Sequence, residues 1–360
     1  MKKAIRAALL FGAVVAVLHT ASAQNTPDKV SVRDRKDGST KTYDGTFTLS
    51  PAGFQVLAAD KKVLATVNPD DVVKVSIGDL PGIDRGKIQS ANAKEFPTNE
   101  KTARDYDGAR LIYEDLKKGK IADSSRRYVE FKIAWLNHKM VDEVDFDKGW
   151  EAKADETVKL WRGFLISGET KFGWEQWPAV RACTRLQIER GKFDDAALTW
   201  GYVVKNTNAP PDARLEAGMQ EIDLQIRGKQ YAPATVASAD LLKTAAGVKK
   251  DRLAIYEIAA KACAEAKPLE GIDKIKAEMN KTKDAAVHAT GFSMMGELYL
   301  AGGKPRDAMW MFLWVETVVN QDKDEAFKAI ARLAGLFESQ QDEEQGKKYR
   351  DKLKRFRATF

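Results

Sequence analysis

A small or turn-forming residue recurs at nearly constant intervals through the second half of the chain. It stands at Ala196, Pro233, Gly271, Ala308 and Gly346, with successive gaps of 37, 38, 37 and 38 residues. A period of this length is typical of stacked two-helix units, each of which buries its apolar face only against its neighbours. The interval therefore predicts a mainly α-helical fold, an α-solenoid of helical hairpins.

The clearest unit of this array lies over residues 291–313. Its first helix carries Gly296, its turn carries Gly303 and its second helix carries Ala308, so small residues stand where two antiparallel helices touch. We assign residues 98–360 to a helical repeat domain whose regular units begin at about Trp174. The predicted hairpins pair residues 177–190 with 193–205, 212–227 with 231–243, 249–266 with 269–279, 284–300 with 306–319, and 323–338 with 342–356.

The residues before the helices follow a different pattern. Between residues 28 and 80, short runs of β-branched and aromatic residues are separated by turn-forming residues such as Asp37-Gly38. This pattern predicts a small all-β domain, followed by a linker over residues 81–97 that contains glycine and proline. Five strands are expected, over residues 30–32, 41–49, 54–58, 63–67 and 72–77.

The first 23 residues predict export. Lys2, Lys3 and Arg6 precede an apolar run over residues 7–18, and the small residues 21–23 form a cleavage pattern, so we interpret residues 1–23 as a secretory signal peptide. The run is too short to span a bilayer, and no later window holds the roughly 20 apolar residues that a spanning helix needs. We expect a periplasmic or extracellular protein with no integral membrane segment after cleavage.

The charge balance of the mature chain is mild. The full sequence has 59 basic and 52 acidic residues, and loss of the signal peptide removes three basic ones, so the net charge falls from +7 to +4. Nucleic-acid binding usually requires a concentrated basic face, so we exclude nucleic acid as a partner. Weak attraction to an anionic envelope polymer stays open.

The two cysteines are not expected to form a disulfide. Cys183 and Cys263 are 80 residues apart, which is about two repeats. Stacked repeats contact mainly their immediate neighbours, so the two Cα atoms should lie beyond the roughly 7 Å limit for a disulfide. We interpret both residues as small buried hydrophobic side chains.

Several segments of the array resemble the tetratricopeptide repeat. ERGKFDDAALTW and LAGGKPRDAMWMF are similar to the turn and second helix of that family, and GELYLAGG is similar to the end of its first helix. In this alignment the turn glycines are Gly191, Gly228 and Gly303. The resemblance implies a right-handed superhelix of helix pairs, a TPR-like array whose first helices line a concave surface that holds peptides or partner proteins.

The β segment carries a second resemblance. Residues 37–75, including Gly45-Thr46-Phe47 and the strand from Gly53 to Val56, are similar to the small SH3-like or Sm-like barrels near the start of exported bacterial repeat proteins. That resemblance implies a barrel. It does not by itself imply a ligand.

In the tetratricopeptide register, seven side chains of three first helices are candidates for a binding groove on the concave face. Arg181 and Arg185 are one helical turn apart, so they project together and suit a carboxylate or another anion. A salt-bridged surface pair is the alternative interpretation. The candidates are Arg181, Arg185 and Ile188 from the first hairpin, Tyr256 from the third, and Ser293, Glu297 and Leu300 from the fourth.

Signals for catalysis or metal binding are weak. His138 and His288 are 150 residues apart and do not have metal-ligand spacing. The four carboxylates between residues 142 and 147 lack the glycine and closing glutamate of a calcium loop. The chain also lacks the common nucleophile and nucleotide-binding motifs. We therefore expect no metal, no cofactor and no catalytic residue.

Together these patterns predict an exported, non-enzymatic interaction scaffold that binds a protein or peptide on its concave face. Two alternatives stay open. One is a structural component of an envelope or secretion assembly. The other is an envelope hydrolase whose catalytic carboxylates the sequence does not single out.

Overall fold

A computed structural model of the chain describes residues 29–34, 39–50, 53–67, 72–77, 80–99, 101–146, 149–167, 173 and 175–358. Over these residues the chain forms six strands and then fourteen helices. The strands are β1 (Lys29–Arg33), β2 (Thr40–Asp44), β3 (Thr46–Ser50), β4 (Gly53–Leu57), β5 (Val63–Val67) and β6 (Val72–Ser76). The helices are α1 (Arg85–Glu95), α2 (Tyr106–Lys118), α3 (Asp123–Glu143), α4 (Trp150–Ser167), α5 (Gln176–Glu189), α6 (Phe193–Lys205), α7 (Pro211–Arg227), α8 (Tyr231–Leu242), α9 (Gly247–Ala264), α10 (Pro268–Met279), α11 (Ala285–Ala301), α12 (Pro305–Thr317), α13 (Lys323–Ser339) and α14 (Glu343–Ala358).

Some sequence predictions fall on residues outside these ranges. They include the signal peptide over residues 1–23, the Asp37-Gly38 turn, and Trp174 as the start of the regular array. Within the described ranges, every helix is too short or too polar to cross a membrane.

The strands form two small antiparallel sheets, with strand orders β2-β1-β6 and β3-β4-β5. The strand predicted over residues 41–49 is divided at Gly45 into β2 and β3, which belong to different sheets. A Cβ at Gly45 would overlap the carbonyl oxygen of Leu57, so the close approach of the two backbones requires glycine here. The described residues therefore contain six strands where the sequence pattern predicts five.

The span interpreted as a linker contains α1. The side chain of Asp84 caps this helix by accepting a hydrogen bond from the N–H of Gly86 (2.7 Å). The helix packs on α2 through its buried Ala91. At its end, Glu95 forms a buried ion pair with Lys132 of α3 (2.5 Å). The helical body thus begins before residue 98.

Each of the five hairpins from α5 to α14 turns through one residue in the left-handed backbone region. These residues have φ between 58° and 71° and recur every 37 or 38 positions, at Gly191, Lys229, Ala266, Gly303 and Gln341. Five positions after each, a buried small residue of the second helix follows, at Ala196, Ala234, Gly271, Ala308 and Gly346. The fold therefore confirms a regular series of helix pairs.

Two residues of the predicted repeat pattern are displaced by one position. Pro233 is exposed, and Ala234 takes the buried place. Gly228 has φ −84°, and Lys229 adopts the positive φ of the turn. A Cβ at Gly228 would overlap the side chain of Asp194, which would have to move to accommodate it. In this turn the glycine beside the neighbouring helix, Gly228, and the residue with positive φ, Lys229, are therefore two different residues.

The same hydrogen bond closes the first helix of each of these hairpins. The N–H that follows the left-handed residue donates to the carbonyl oxygen five residues earlier, as from Lys192 to Gln187 (2.9 Å) and from Lys304 to Tyr299 (2.8 Å). This is the Schellman arrangement, which satisfies a carbonyl that the helix end would leave unpaired. The five hairpins thus share one turn geometry although three of their turn residues are not glycine.

The array closes on itself. Residues of α3–α7 and of α12–α14 share one hydrophobic core, which includes Leu186 and Phe327. α13 contacts α5, and α14 contacts α3. Nζ of Lys354 in α14 lies 3.1 Å from Oδ1 of Asp145, just after α3. We call this contact of α13 and α14 with the α3–α5 region the seam. An open superhelix, in which repeats touch mainly their neighbours, has no such contact.

Both cysteines are free thiols, which confirms that they do not pair with each other. Cys183 is fully buried, and Cys263 is half-buried. Burial raises the pKa of Cys183 to about 12 and that of Cys263 to about 11. The reactive species of cysteine is the thiolate, so neither residue is activated at neutral pH.

Exchanging turn residues gives a first prediction. Ala266→Gly should raise the free energy of unfolding and Gly303→Ala should lower it, each by about 1 kcal/mol, because a residue with a Cβ is strained at positive φ. A Cβ at Gly303 would meet no atom within 4 Å, so its effect is confined to the backbone. Urea denaturation followed by helical circular dichroism measures both changes. Two variants with the stability of the parent would contradict the turn assignment.

Candidate binding site at the seam

Most of the residues predicted to line the concave face lie in the interior of the closed array. Ile188, Tyr256, Ser293 and Glu297 are buried, and Leu300 is half-buried. Other side chains of the first helices occupy the space that these residues face. At these positions the inner surface is therefore covered by the protein itself.

An ionic network centred on Arg227 of α7 fills this interior. Nε of Arg227 donates to Asp223 of the same helix (2.8 Å). Nη1 donates to Glu297 of α11 (3.0 Å), and Nη2 donates to Glu325 of α13 (3.3 Å). The side chains of Arg227, Asp223 and Glu325 have no exposed surface. Each guanidinium nitrogen of Arg227 thus binds a different carboxylate.

α9 and α13 complete the network around Glu325. Lys328 donates to Glu325 (3.0 Å) and also to Asp223. Nη2 of Arg252 and the hydroxyl of Tyr256, both on α9, donate to Glu325 at 3.4 and 3.3 Å. Side chains from α7, α9, α11 and α13 are therefore tied together at one place.

Ion pairing keeps these groups charged. Burial alone would raise the pKa of Glu325, but attraction to Lys328, Arg227 and Arg252 lowers it to about 2. Burial would lower the pKa of Lys328, but Asp223 and Glu325 raise it well above its usual range. Neither pKa lies near neutrality, where general acid–base catalysis works best. The network is built to hold charges in place.

Arg181 and Arg185 of α5 meet a carboxylate of the last hairpin. Both donate to Asp324 of α13, Arg185 through Nη2 at 3.0 Å. Burial would raise the pKa of Asp324, but the two guanidinium groups outweigh it and hold this pKa far below its usual range. The two arginines that the sequence assigns to anion binding thus bind a carboxylate 143 and 139 residues away in the same chain.

A narrow cavity lies beside this ion pair. Its volume is about 20 Å³, which is enough for one water molecule. No peptide fits into a space of this size. The residues that line it are Arg181, Thr184, Arg185, Ile188, Trp200, Gln220, Asp324, Phe327 and Lys328.

A larger pocket lies at the C-terminal end of α5. Its volume is about 420 Å³, within the range of small-ligand sites. We call it the seam pocket. It is lined by the apolar or small residues Phe146, Ile188, Gly191, Phe193, Leu300, Ala331, Gly335 and Leu336, and by the polar residues Glu151, Glu189, Arg190, Arg332, Ser339 and Arg350.

The seam pocket contains two of the seven predicted groove residues. Ile188 and Leu300 line its wall. Glu297 lies behind the wall, where it binds Arg332. Arg181, Arg185, Tyr256 and Ser293 do not line it.

Arg332 of α13 is fixed in orientation at this pocket. Nε and Nη2 donate to Glu297 (2.8 and 2.7 Å), and Nη2 also donates to the carbonyl oxygen of Arg227 (2.8 Å). Cζ of Arg332 lies 4.0 Å from the ring centre of Phe193, so the cation rests against the aromatic ring. The pocket is thereby connected to the buried ionic network.

Arg350 of α14 is held in a similar way. Nε and Nη2 donate to Glu338 (2.6 and 2.7 Å), and Nη1 donates to the carbonyl oxygen of Glu189 in α5 (2.7 Å). Cζ lies 4.3 Å from the ring centre of Phe146. Arg350 thus closes the seam and lines the pocket at the same time.

Gly335 leaves a part of the pocket wall without a side chain. It lies in the interior of α13, where glycine destabilises a helix by roughly 0.5–1 kcal/mol relative to alanine. A Cβ at this position would meet no atom within 4 Å, so contacts inside the protein do not require glycine. This mid-helix glycine is the one sequence signal that could have pointed to the pocket.

The residues considered for metal binding do not assemble into a site. Within the described ranges, no three His, Cys, Asp or Glu side chains are positioned to share a metal ion. Nε2 of His288 lies 2.9 Å from the carbonyl oxygen of Thr282, and His138 is buried. Of the acidic loop, Asp147 lies outside the described residues.

In comparisons with known proteins, no protein-family model matches this chain, and no curated protein matches it. What the fold and the site define is a class of architecture. It is a mainly helical array of consecutive helix pairs after a small antiparallel β region, with an open pocket where the array closes.

Asp324→Asn tests the ion pair at the seam. At pH 7 this change should lower the free energy of unfolding by about 2 kcal/mol, because two largely buried guanidinium groups lose their counter-charge. The fold lowers the pKa of Asp324, so its contribution is complete above the ordinary aspartate pKa of about 4 and is lost as the pH falls below that value. Urea denaturation of parent and variant across this range measures the effect.

Asp240→Asn is the matched control, since Asp240 pairs with Lys243 at the exposed surface. It should change the stability by less than about 0.5 kcal/mol. A difference between Asp324→Asn and the parent that stays constant into strong acid would contradict the assigned ion pair.

Proposed function

We propose that the protein is an exported, non-enzymatic scaffold that binds a peptide segment of a partner protein in the seam pocket. The proposal includes two finer assignments: a tetratricopeptide-like array and an SH3-like or Sm-like barrel before it. The single observation that carries the proposal is the 420 Å³ pocket. It lies where first helices of the array meet the last hairpin.

The repeated turn geometry supports the family assignment. Five hairpins share the same Schellman hydrogen bond and the same buried small residue on the second helix. Small residues at such places let two helices approach closely, as in the tetratricopeptide pattern. The division at Gly45 of one predicted strand into β2 and β3, which belong to different sheets, supports a barrel-like β domain.

The chemistry of the pocket supports a peptide as its ligand. Apolar walls offer burial to a side chain, and charged groups at the same pocket offer both kinds of hydrogen-bonding partner. Arg332 has further N–H groups beyond those that bind Glu297 and the carbonyl oxygen of Arg227, and Glu151 supplies a carboxylate. A peptide segment combines an apolar side chain with backbone donors and acceptors, so it matches this mixed lining.

Preformed geometry supports a binding role. Arg332 and Arg350 are fixed by hydrogen bonds and by the rings of Phe193 and Phe146. A site whose side chains are already ordered loses little conformational entropy when its ligand arrives. Binding at the seam differs from the binding on the concave face that the tetratricopeptide resemblance implies. The partner is held at the rim of the closed array, since side chains fill the concave face.

Export supports the scaffold interpretation from the sequence side. A signal peptide over residues 1–23 directs the chain out of the cytoplasm. The partner is then a periplasmic or extracellular protein.

Selection of displayed peptides tests the proposal. A phage-displayed library of random peptides is panned on the immobilised protein, and the enriched sequences are synthesised and titrated. We expect micromolar or tighter ligands for the parent. Gly335→Leu should weaken them by roughly tenfold or more, because a leucine side chain fills the pocket and overpacking costs about 1–3 kcal/mol.

Gly163→Leu is the control variant. Gly163 is an exposed glycine of α4, a Cβ there also meets no atom within 4 Å, and it does not line the pocket. Both changes replace a helical glycine by a good helix former, so they should affect the fold alike. Equal binding by Gly335→Leu and Gly163→Leu, or no enriched peptide at all, would contradict the proposed function.

A further inference from the structure

We propose that the seam pocket selects an aromatic side chain of the bound peptide, which stacks on the guanidinium faces of Arg332 and Arg350. This inference rests on the proposed function and assigns the chemistry of the group that enters the pocket. It follows from how the two arginines are held, from the charges around them and from the shape of the wall.

The hydrogen bonds of Arg350 leave its face as the surface for a ligand. Three of its five N–H groups already donate, two to Glu338 and one to the carbonyl oxygen of Glu189. These bonds lie in the plane of the group and fix its orientation. One face of the plane rests on Phe146 (4.3 Å). Arg350 also lines the pocket, so in this proposal a neutral planar group stacks on the opposite face.

Arg332, on the other helix of the last hairpin, is held through two of its three guanidinium nitrogens. Glu297 and the carbonyl oxygen of Arg227 bind two of its nitrogens, and Phe193 lies against one face at 4.0 Å. The Arg332 side chain is 19% exposed. A guanidinium that is packed on an aromatic ring on one side can stack with a second ring on the other.

The surrounding charges disfavour an anion as the group that is bound. The charge of Arg332 is already paired with Glu297, and that of Arg350 with Glu338. Arg190, which also lines the pocket, is paired with Asp155, and the carboxylate of Glu151 at the same pocket would repel a ligand carboxylate. An aromatic ring carries no net charge, yet its negative face is attracted to a guanidinium, so it gains the stacking without that repulsion.

The size of the pocket fits a ring. A cavity of about 150 Å³ can hold benzene, and the seam pocket has about 420 Å³, so a ring and part of the peptide backbone fit together. Ala331 and Gly335 are one helical turn apart on α13 and both line the pocket. Their small size leaves a flat wall along which a ring can lie.

The test replaces the ring in the ligand and leaves the protein unchanged. Peptides enriched on the parent protein should share an aromatic residue. One such peptide is made with phenylalanine at that position and again with cyclohexylalanine, which keeps the volume and the apolar surface but removes the π system. Fluorescence anisotropy should give roughly two- to thirtyfold weaker binding for the cyclohexylalanine peptide, the span of cation–π contributions of about 0.5–2 kcal/mol.

The variant Arg350→Met tests whether Arg350 causes the preference for an aromatic ring. This variant keeps a long apolar side chain and loses the cation, so it should prefer the phenylalanine peptide over the cyclohexylalanine peptide less strongly than the parent does. The four affinities of two proteins for two peptides form a double-mutant cycle, which gives the coupling free energy between the ring and the guanidinium. The helical circular dichroism and the urea unfolding curve of the variant, compared with those of the parent, report whether the array is intact. If the variant does not fold, the comparison of the two peptides on the parent protein still decides the question.

The outcomes separate this inference from the proposed function. Peptides that bind the parent, lose affinity in Gly335→Leu and bind equally well with phenylalanine or cyclohexylalanine would overturn the aromatic assignment and leave the scaffold function standing. Enriched peptides without a common aromatic residue would do the same. Failure of every displayed peptide to bind would remove both.

Discussion

The buried charges around Arg227 constrain the whole array. Taking several ions out of water costs several kcal/mol for each, and only close pairing with good geometry offsets it. The partners here come from α7, α9, α11 and α13, so all four first helices must stand in one arrangement before Arg227, Glu297 and Glu325 can be satisfied together. If one helix were displaced, a buried charge would lose its oppositely charged partner. The network therefore acts as a specificity device that fixes the curvature of the stack.

Closure follows from that curvature and determines where a ligand can bind. With the first helices drawn together, α13 reaches α5, and Asp324 pairs with Arg181 and Arg185 across the seam. Among the described residues, the ionic network then occupies the interior, and the pocket of about 420 Å³ lies at the end of the seam. Arg332 joins the two regions, because it binds Glu297 of the network and lines the pocket. The ionic network thus both closes the array and holds the pocket walls in place.

The parts of the fold set by local chemistry could be predicted from the sequence. The 37- to 38-residue interval, the turn at Gly303 and the small residue at Ala308 depend on backbone conformation within one hairpin, and the structure confirms them. Errors of one residue at Pro233 and Gly228 arose because two small or turn-forming residues stand side by side, and only packing decides between them. The anion chemistry of Arg181 and Arg185 was visible from their spacing, but their partner was not. Asp324 lies more than one hundred residues away, and no periodic pattern reports which ends of an array meet. The pocket was missed for the same reason, since its walls come from α4, α5, α6, α11, α13 and α14, with Phe146 from the segment after α3.

The central claim is that the two ends of the array are in contact, and a cross-link across the seam tests it most directly. In a protein carrying both Asp145→Cys and Lys354→Cys, the new thiols replace side chains that approach to 3.1 Å. A short bifunctional thiol reagent should join them within one chain in high yield, and neither single variant should give that product. An array whose ends stand apart would leave the two thiols modified separately, and this result would contradict the closed arrangement on which the pocket depends.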